Sequence, residues 1–225
     1  MDERQRVLEA GCGGGKLCVP LARAGHEVTG MDREAHMLQF ARAHAAPLPN
    51  LRVRQGDIIA QAWGGEYDVA IFGANLLVNL VTDRDSKRAQ KNLLERAHAA
   101  LRRGGRLFLD FDCPLDVAKW TPANCEWVCF EGTDDWGTFG RYVVVNGPVS
   151  NRSRTVTGSR RWEIAPASGA PFTVCAEKSC HFPTLEETCG WLYKVGFTVE
   201  SLCGGYRGEA FDREHRRAVL WARKL

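Results

Sequence analysis

The chain has 225 residues, of which 44% are hydrophobic and 25% charged, and its formal net charge at pH 7 is +3. This length suits one α/β domain with an added subdomain, and the composition is ordinary for a soluble globular protein. The small net charge gives no argument by itself for nucleic acid or a membrane surface as a partner. No apolar run approaches the roughly 18 residues of a transmembrane helix, and no signal-peptide pattern follows Met1. We therefore expect a cytoplasmic protein without membrane contact.

The nine cysteines are a high and odd number. In a cytoplasmic setting we expect reduced thiols that pack as small hydrophobic side chains. Cys125 and Cys129 are close in sequence, as are Cys175 and Cys180. Neither pair has the Cys-x-x-Cys spacing that is typical of a zinc site. The sequence therefore predicts no metal site.

The first unit of the chain, residues 6–32, reads as strand, turn, helix and strand. A short apolar run ends in Glu9, a glycine-dense turn covers residues 11–15, a helical segment reaches about Ala24, and a second β-rich run stops at Asp32. Glycines let a ligand approach the backbone closely, and a helix N-terminus presents free N–H groups. An acid at the end of the second strand can accept hydrogen bonds from ribose hydroxyls. This unit predicts a site for a nucleoside cofactor.

The spacing of the glycines separates two classes of cofactor. A dinucleotide fingerprint, G-x-G-x-x-G, would need a glycine where Lys16 or Cys18 stands. The pattern that is present, Glu-x-Gly-x-Gly-x-Gly from Glu9 to Gly15, resembles the first motif of the class I S-adenosylmethionine (SAM)-dependent methyltransferases. That resemblance implies that Glu9 binds the methionine amino group, directly or through water. It also implies that the backbone of the turn lines the cofactor, at Gly11, Cys12, Gly13 and Gly15.

Two further acids follow the family pattern. Asp32 ends the second strand and is followed by a predicted helix, Arg33 to Ala45; a third strand, Leu51 to Gln55, is followed by Asp57 and Ile58. The resemblance implies that Asp32 binds the ribose with Arg33 beside it. It further implies that Asp57 accepts from the adenine amino group while Ile58 packs on the ring. A loop residue or a helix cap is the competing interpretation of Asp57.

Residues 67–72 form an apolar run short enough for a buried parallel strand. In the family, the fourth strand ends where cofactor and acceptor meet, which implies that Phe72 and Gly73 lie beside the methionine end. Asn75 is a weak candidate for an acceptor contact. An amphipathic helix, Ser86 to Leu101, is predicted next; it ends at a glycine pair, and residues 106–111 form the fifth strand.

The character of the chain changes between residues 113 and 182. Four β-rich runs alternate with turn signals at residues 132–135, 146–148 and 166–169, which predicts an inserted antiparallel sheet of three or four strands. Four of the seven tryptophans lie here: Trp120, Trp127, Trp136 and Trp162. They can build a small core for the insert or line an acceptor pocket, and the sequence leaves both interpretations open. Tyr142 and His181 are further weak candidates for acceptor contacts.

The last part of the chain returns to the α/β pattern. Thr184 and Glu187 form a predicted capping box, a helix follows to Val195, and two strands are predicted at residues 197–202 and 218–222. The resemblance therefore implies an α/β fold: a Rossmann-like, seven-stranded, mostly parallel sheet in the order 3-2-1-4-5-7-6, with helices on both faces and a small inserted antiparallel sheet. Residues 1–112 and 183–225 would form the SAM-binding core, and residues 113–182 an acceptor-binding or lid subdomain.

Members of the family usually carry some tens of residues before the first strand, and here only residues 1–5 precede it. The insert can serve as the lid, the site can be more open, or a natural N-terminal segment can be lacking.

We predict a methyltransferase that transfers a methyl group from SAM to a nitrogen or oxygen atom of a small molecule and releases S-adenosylhomocysteine (SAH). In-line displacement depends mainly on positioning, so the resemblance assigns no universal catalytic residue. Basic residues at 151–154 and 160–161 keep a nucleic-acid substrate open, although the Asn/Asp-Pro-Pro-aromatic motif of base methylation is absent after Phe72. The sequence also leaves open a protein methyltransferase, a nicotinamide-dependent oxidoreductase and a SAM-binding protein without turnover. It does not determine the oligomeric state.

Overall fold

A computed structural model describes residues 4–80, 85–212 and 216–225. The strands are β1 Arg6–Ala10, β2 Glu27–Asp32, β3 Leu51–Gln55, β4 Tyr67–Phe72, β5 Leu101–Asp112, β6 Glu126–Thr133, β7 Phe139–Ser150, β8 Thr155–Ala165, β9 Phe172–His181, β10 Phe197–Cys203 and β11 Arg217–Lys224. The helices are α1 Cys18–Arg23, α2 Ala35–Ala45, α3 Ser86–Ala100, α4 Val117–Trp120 and α5 Leu185–Val195.

The described residues fall into two compact units. The first lies within Met1–Leu80, Lys87–Cys113 and Pro183–Leu225, and the second within Val81–Ser86 and Pro114–Phe182. The first unit contains all strands of one sheet and the second all strands of the other.

The first unit is built on a seven-stranded sheet in the order β10-β11-β5-β4-β1-β2-β3. Strands β1 to β5 are parallel to one another, whereas β11 runs antiparallel to both β5 and β10. Counting only the strands of this sheet, the order is 3-2-1-4-5-7-6, which confirms the order predicted from the sequence. The chain leaves β1 toward β2 on one side and returns through β4 on the other. The gap between β1 and β4 is therefore the topological switch point, where open α/β sheets bind ligands.

The central strands are apolar because both faces of a parallel sheet are covered. Val7 of β1 pairs with Val28 of β2 on one side and with Val69 of β4 on the other. All three belong to one buried cluster, which Leu38 of α2 and Val19 of α1 complete. This packing fixes the positions of the strand ends, and therefore the positions of the turns that follow the strands.

The boundary between α3 and β5 differs from the prediction. The helix ends at Ala100, and the strand begins at Leu101, which pairs with Tyr67. The predicted glycine stop of the helix lies inside the strand instead. A Cβ on Gly105 would stand 2.9 Å from the carbonyl oxygen of Arg102 and 3.0 Å from that of Tyr67. The glycine is therefore needed for close strand contact rather than for helix termination.

The second unit contains a four-stranded antiparallel sheet in the order β6-β7-β8-β9. Strand β7 continues through residues 146–148, which the sequence had predicted as a break. A register shift between Asn146 and Val149 accommodates them, so the glycine and proline mark a bulge instead of a turn. The short helix α4, with Asp116 as its N-cap, was not predicted.

The predicted capping box at the start of α5 is confirmed. The Thr184 hydroxyl accepts from the Glu187 N–H at 3.0 Å, and a Glu187 carboxylate oxygen accepts from the Thr184 N–H at 3.2 Å. At the other end, Gly196 closes the helix in the left-handed region with φ +102°. Both ends of this helix are therefore specified locally.

Replacing Thr184 by alanine should destabilise the protein by about 1 kcal/mol, because one donor at the helix start loses its partner. Urea denaturation of the purified variant would measure this change. Thr184→Ser keeps the hydroxyl, so its free energy of unfolding should stay close to that of the parent. Equal losses of stability in both variants would contradict the capping role.

Candidate cofactor site

The glycine-rich turn between β1 and α1 is joined to the end of β2. The N–H groups of Gly11 and Cys12 both donate to the Met31 carbonyl oxygen, at 2.7 and 3.1 Å. Gly11, Gly13 and Gly15 all have positive φ angles, of 72°, 49° and 84°. A side chain would be strained at each of these positions, so the alternating glycines follow from the shape of the turn.

Asp32 lies at the end of β2 and faces this turn. Its Oδ2 accepts from the Gly13 N–H at 2.8 Å and its Oδ1 from the Glu34 N–H at 2.9 Å. Two backbone donors thus fix the orientation of the carboxylate. Each oxygen retains a lone pair, which can accept a further hydrogen bond from a ligand diol.

Arg33 follows Asp32 and lies at the surface. Its guanidinium is paired with Glu34 at 3.3 Å, and its side chain is 50% exposed. Its carbonyl oxygen accepts from the Gln55 side chain at 3.3 Å, which ties the end of β2 to the end of β3.

Glu9, at the carboxyl side of β1, is only 5% exposed. Its Oε2 accepts from the Cys18 thiol at 2.8 Å. Burial raises the pKa of Glu9 to about 7, because the charged form loses hydration, and the bond from Cys18 offsets part of this rise. The Cys18 thiol has a raised pKa as well, through its hydrogen bond with Cys12 and its burial. Glu9 is therefore a carboxyl group that can change its protonation near neutral pH.

Cys12 lies in the middle of the turn, and its side chain is 4% exposed. The sulfurs of Cys12 and Cys18 occupy the space beside Gly30, where an added Cβ would stand 2.8 Å from each. Because the Cys12 side chain points into the protein, its predicted contribution to a ligand is limited to its backbone.

The loop after β3 begins beside Asp32, whose carbonyl oxygen accepts from the Gly56 N–H at 2.8 Å. Asp57 Oδ1 accepts from the N–H groups of Ile59 and Ala60, at 2.7 and 3.3 Å. Asp57 thus has the capping geometry that was the competing interpretation of the sequence. Both bonds use Oδ1, and the lone pairs of Oδ2 can accept a further hydrogen bond. Ile58 is half-buried next to it.

The end of β4 closes the other side of the switch point. Phe72 is fully buried and contacts Trp63 edge to face, with the ring centroids 5.8 Å apart. A Cβ on Gly73 would stand 2.8 Å from a side-chain carbon of Leu17, so the glycine lets the Leu17 side chain approach the backbone closely. Ala74 and Asn75 follow in the left-handed region, with φ angles of 56° and 62°. Such strain in non-glycine residues requires support from the surrounding structure.

That support comes from residues that the sequence reasoning missed. The Asn75 side chain donates to Asp112 at 2.7 Å and accepts from the Asp112 N–H at 2.9 Å. The Asn75 N–H donates to Asp110 at 3.4 Å. The sequence did contain a signal for Asp110 and Asp112: two acids stand at alternate positions near the end of a predicted strand, and residues so spaced share one face of the strand.

The two remaining candidates belong to the second unit. Tyr142 stacks on Trp162, with the centroids 5.3 Å apart, and His181 is 3% exposed. Of the predicted site residues, those from Glu9 to Asn75 all belong to the first unit, at the carboxyl ends of β1 to β4 or in the loops that follow.

Within the described ranges of the chain, no group of three or more His, Cys, Asp and Glu side chains is arranged to hold a metal ion. Among the helices that the structure describes, none has the length and apolar character needed to cross a membrane.

Comparison with known proteins gives the class. Residues 7–105 match the family model for a methyltransferase domain. A ubiquinone biosynthesis O-methyltransferase from Methylobacterium nodulans is 28% identical over 200 residues, which cover 78% of this chain and 74% of the relative. The chain spans 65% of the length of a second curated relative and 28% of the length of a third.

Solved structures share the fold. The CcbJ methyltransferase from Streptomyces caelestis has a TM-score of 0.76 at 20% identity, covering 99% of this chain and 90% of that one. CalS10, an amino pentose methyltransferase from Micromonospora echinaspora, has a TM-score of 0.67 at 18% identity, covering 99% and 84%. The family match assigns residues 7–105 to a methyltransferase domain, and the chain shares the fold of these solved methyltransferases. The resemblance found in the sequence is therefore confirmed.

Proposed function

We propose that this protein transfers a methyl group from SAM to a nitrogen or oxygen atom of a small molecule and releases SAH. The observation that carries this proposal is the Asp32 carboxylate. Two backbone N–H groups hold it at the carboxyl end of β2, next to a glycine turn whose positive φ angles disfavour side chains. This arrangement suits a ribose diol, because a charged acceptor can take both hydroxyl hydrogen bonds.

The remaining assignments follow the shape of the site. We assign the methionine ammonium to Glu9, directly or through water, and the approach of the methionine end to Gly73, with Phe72 as its buried support. Asp57 is assigned to the adenine amino group and Ile58 to the adenine ring. The turn backbone from Gly11 to Gly15 lines the middle of the ligand, and Arg33 lies at the ribose rim.

SAM supplies a methyl group on a sulfonium, which an acceptor atom can displace in line. The protein's part is to hold the two reactants in contact on that axis, which alone can lower the barrier substantially. Asn75 is a weak candidate for an acceptor contact, because its side-chain bonds to Asp112 use both ends of its amide.

We assign the acceptor to the inserted unit, where Tyr142 and His181 lie. One face of its sheet carries an aromatic and aliphatic row across four strands, Phe130, Tyr142, Trp162 and Val174, which Trp127 flanks; Arg160, two residues before Trp162, lies on the same face. Trp127 is 48% and Phe130 63% exposed. The opposite face carries ion-paired side chains: Glu126, Glu131, Arg141, Arg161 and Glu163. An exposed aromatic face of this kind can bind an apolar or ring-shaped acceptor.

Two basic residues of the insert, Arg154 and Arg161, give little support to a nucleic-acid substrate. Arg161 is paired with Glu126 at 3.1 Å and with Glu163 at 2.8 Å, and Arg154 donates to the carbonyl oxygens of Pro114 and Phe182. These charges are already compensated or used in the fold, so they add little attraction for phosphates. The relatives include enzymes described as acting on oxygen and on amino sugars, so we keep both acceptor atoms in the proposal.

We also propose a cytoplasmic location. All nine cysteines are free thiols in the structure, and four of them are buried as small hydrophobic side chains: Cys12, Cys18, Cys113 and Cys180. This usage fits a reducing compartment.

Calorimetric titration with SAM and SAH, with NADH as a control, tests the cofactor. We expect SAM and SAH to bind and NADH not to bind. The protein would then be incubated with SAM and with pairs of acceptors, one carrying a hydroxyl and the other an amine at the same position. Mass spectrometry of the products would identify the atom that is methylated. Failure of SAM and SAH to bind would refute the proposal, and binding without any methylated product would favour a binding protein without turnover.

Trp127→Ala should raise the KM for a methylated acceptor roughly fivefold, since an aromatic contact is worth about 1 kcal/mol. The SAM dissociation constant should not change. Val128→Ala, on the opposite face of the same strand, is the matched control and should leave both values unchanged. Equal effects of the two substitutions would argue against the aromatic face as the acceptor surface.

A further inference from the structure

A polar cluster lies at the carboxyl ends of β4 and β5. Asp110 and Asp112 are two residues apart on β5 and therefore share a face. Asp110 Oδ2 accepts from the Tyr206 hydroxyl at 2.5 Å. Arg217 of β11 is paired with Asp112 at 3.0 Å and with Asp110 at 3.7 Å, and it also donates to the Tyr206 hydroxyl at 3.3 Å. Asn75 joins this cluster to the end of β4.

The cluster carries an excess of negative charge. Among the described residues, Arg217 pairs with both Asp110 and Asp112, so in this cluster one arginine faces two carboxylates. Asp110 is 0% exposed, so water screens its charge poorly. The net charge of about one unit can therefore act on a neighbouring ligand more strongly than a surface carboxylate would.

This charge lies close to the proposed methionine end of the cofactor. Asn75, whose N–H donates to Asp110, is two residues after Gly73. Because consecutive Cα atoms are about 3.8 Å apart, Gly73 and the Asp110 carboxylate lie within roughly 10 Å of each other. That range is comparable to the screening length of physiological salt, about 8 Å, and part of the intervening space is protein.

We propose that Asp110 and Asp112 set the preference of the site for SAM over SAH, by placing a net negative charge near the sulfonium position. This inference rests on the proposed cofactor placement. SAM carries a positive charge at sulfur and SAH does not, so the cluster stabilises the methyl donor and leaves the product unaffected. The two carboxylates thus act as specificity residues that favour release of the product.

The test needs only the two cofactor forms as ligands. The dissociation constants of SAM and SAH are measured by calorimetry for the parent and for Asp110→Asn and Asp112→Asn, each checked for folding by circular dichroism. We expect the SAM-to-SAH preference to fall at least threefold in both variants, mainly through weaker SAM binding. Two variants are used because either alone can fail to fold.

Two controls separate charge from structure. Tyr206→Phe removes a hydrogen bond to the Asp110 carboxylate without changing the charge of that group, and it should leave the preference for SAM over SAH unchanged. Asp68→Asn removes a carboxylate paired with Arg102 at the opposite end of β4, and it should also leave the preference unchanged.

An unchanged preference in both asparagine variants would overturn the inference. So would an equal loss of SAM and SAH affinity, or a fall of the same size in Tyr206→Phe, because each indicates a structural role. If the parent binds neither ligand, the proposed function itself fails, and this result is distinct from the others.

Discussion

Asp32→Ala is expected to abolish measurable SAM binding while the protein remains folded. A ribose diol would donate two hydrogen bonds to this carboxylate, and each bond to a charged group is worth about 1.5–3 kcal/mol. Their combined loss corresponds to roughly a hundredfold or more in the dissociation constant. The Gly13 N–H also loses its acceptor, which loosens the turn that lines the ligand.

Calorimetry with SAM measures the affinity, and circular dichroism with thermal melting checks the fold. Glu34→Ala is the matched control, because this neighbouring carboxylate is 64% exposed and is paired with Arg33. Asp32→Asn keeps an acceptor oxygen but loses the charge, so its SAM affinity should lie between those of the parent and the alanine variant. SAM affinity that survives in Asp32→Ala would remove the ribose assignment, and with it the centre of the proposed site.

SAM binding should weaken as the pH falls below about 7. The pKa of Glu9 is raised to about 7 by burial, so the carboxyl group is mostly neutral at pH 6 and mostly charged at pH 8. The proposed partner is an ammonium group, which favours the charged form. Each pH unit below the pKa should therefore cost up to tenfold in affinity, and binding near pH 7 should release a fraction of a proton.

Titrations of SAM from pH 5.5 to 8.5, in buffers with different ionisation enthalpies, would measure both effects. Glu9→Gln should bind SAM more weakly than the parent at pH 8 and should lose most of the pH dependence. If the parent shows the same affinity at pH 6 and pH 8, Glu9 does not bind the ammonium as a carboxylate.

The same group affects the stability of the ligand-free protein. The pKa of Glu9 is about 7 in the folded protein, whereas its ordinary value is 4.5. Between these two pH values the folded protein therefore keeps the Glu9 proton, while the unfolded chain has lost it. Stability should therefore fall as the pH rises from about 4.5 to 7, by a Glu9 contribution on the order of 3 kcal/mol. Above pH 7 this loss is complete. Denaturation of Glu9→Gln at pH 5 and pH 8 should show a smaller difference than in the parent.

Much of the first unit could be predicted from local patterns. Strands β3 and β4 were predicted with the bounds that the structure shows, because short apolar or β-rich runs were bounded by turn residues. The capping box at Thr184 was predicted for the same reason, since its partners are three residues apart. Interactions of this kind are encoded within a few residues.

Errors occurred where distant residues decide the local structure. The glycine pair at 104–105 was predicted to stop α3, but Gly105 meets the carbonyl oxygen of Tyr67, far away in sequence. The bulge in β7 at residues 146–148 is likewise stabilised by pairing with β8. Sheet pairing overrode the turn propensity of glycine and proline in both places.

The amino-acid sequence by itself determined the class of this protein and the edge of the sheet that carries its glycine turn and acids. It could do so because a strand–turn–helix unit places its functional residues at fixed local spacings. Only the tertiary structure decided the surroundings of those residues: the burial and raised pKa of Glu9, the donors that orient Asp32, and the cluster around Asp110. Tyr206 and Asp110 are 96 residues apart in the chain, and Arg217 and Asp112 are 105 apart. Such contacts depend on the order of the strands in the sheet, because only neighbouring strand ends bring these side chains within hydrogen-bond distance.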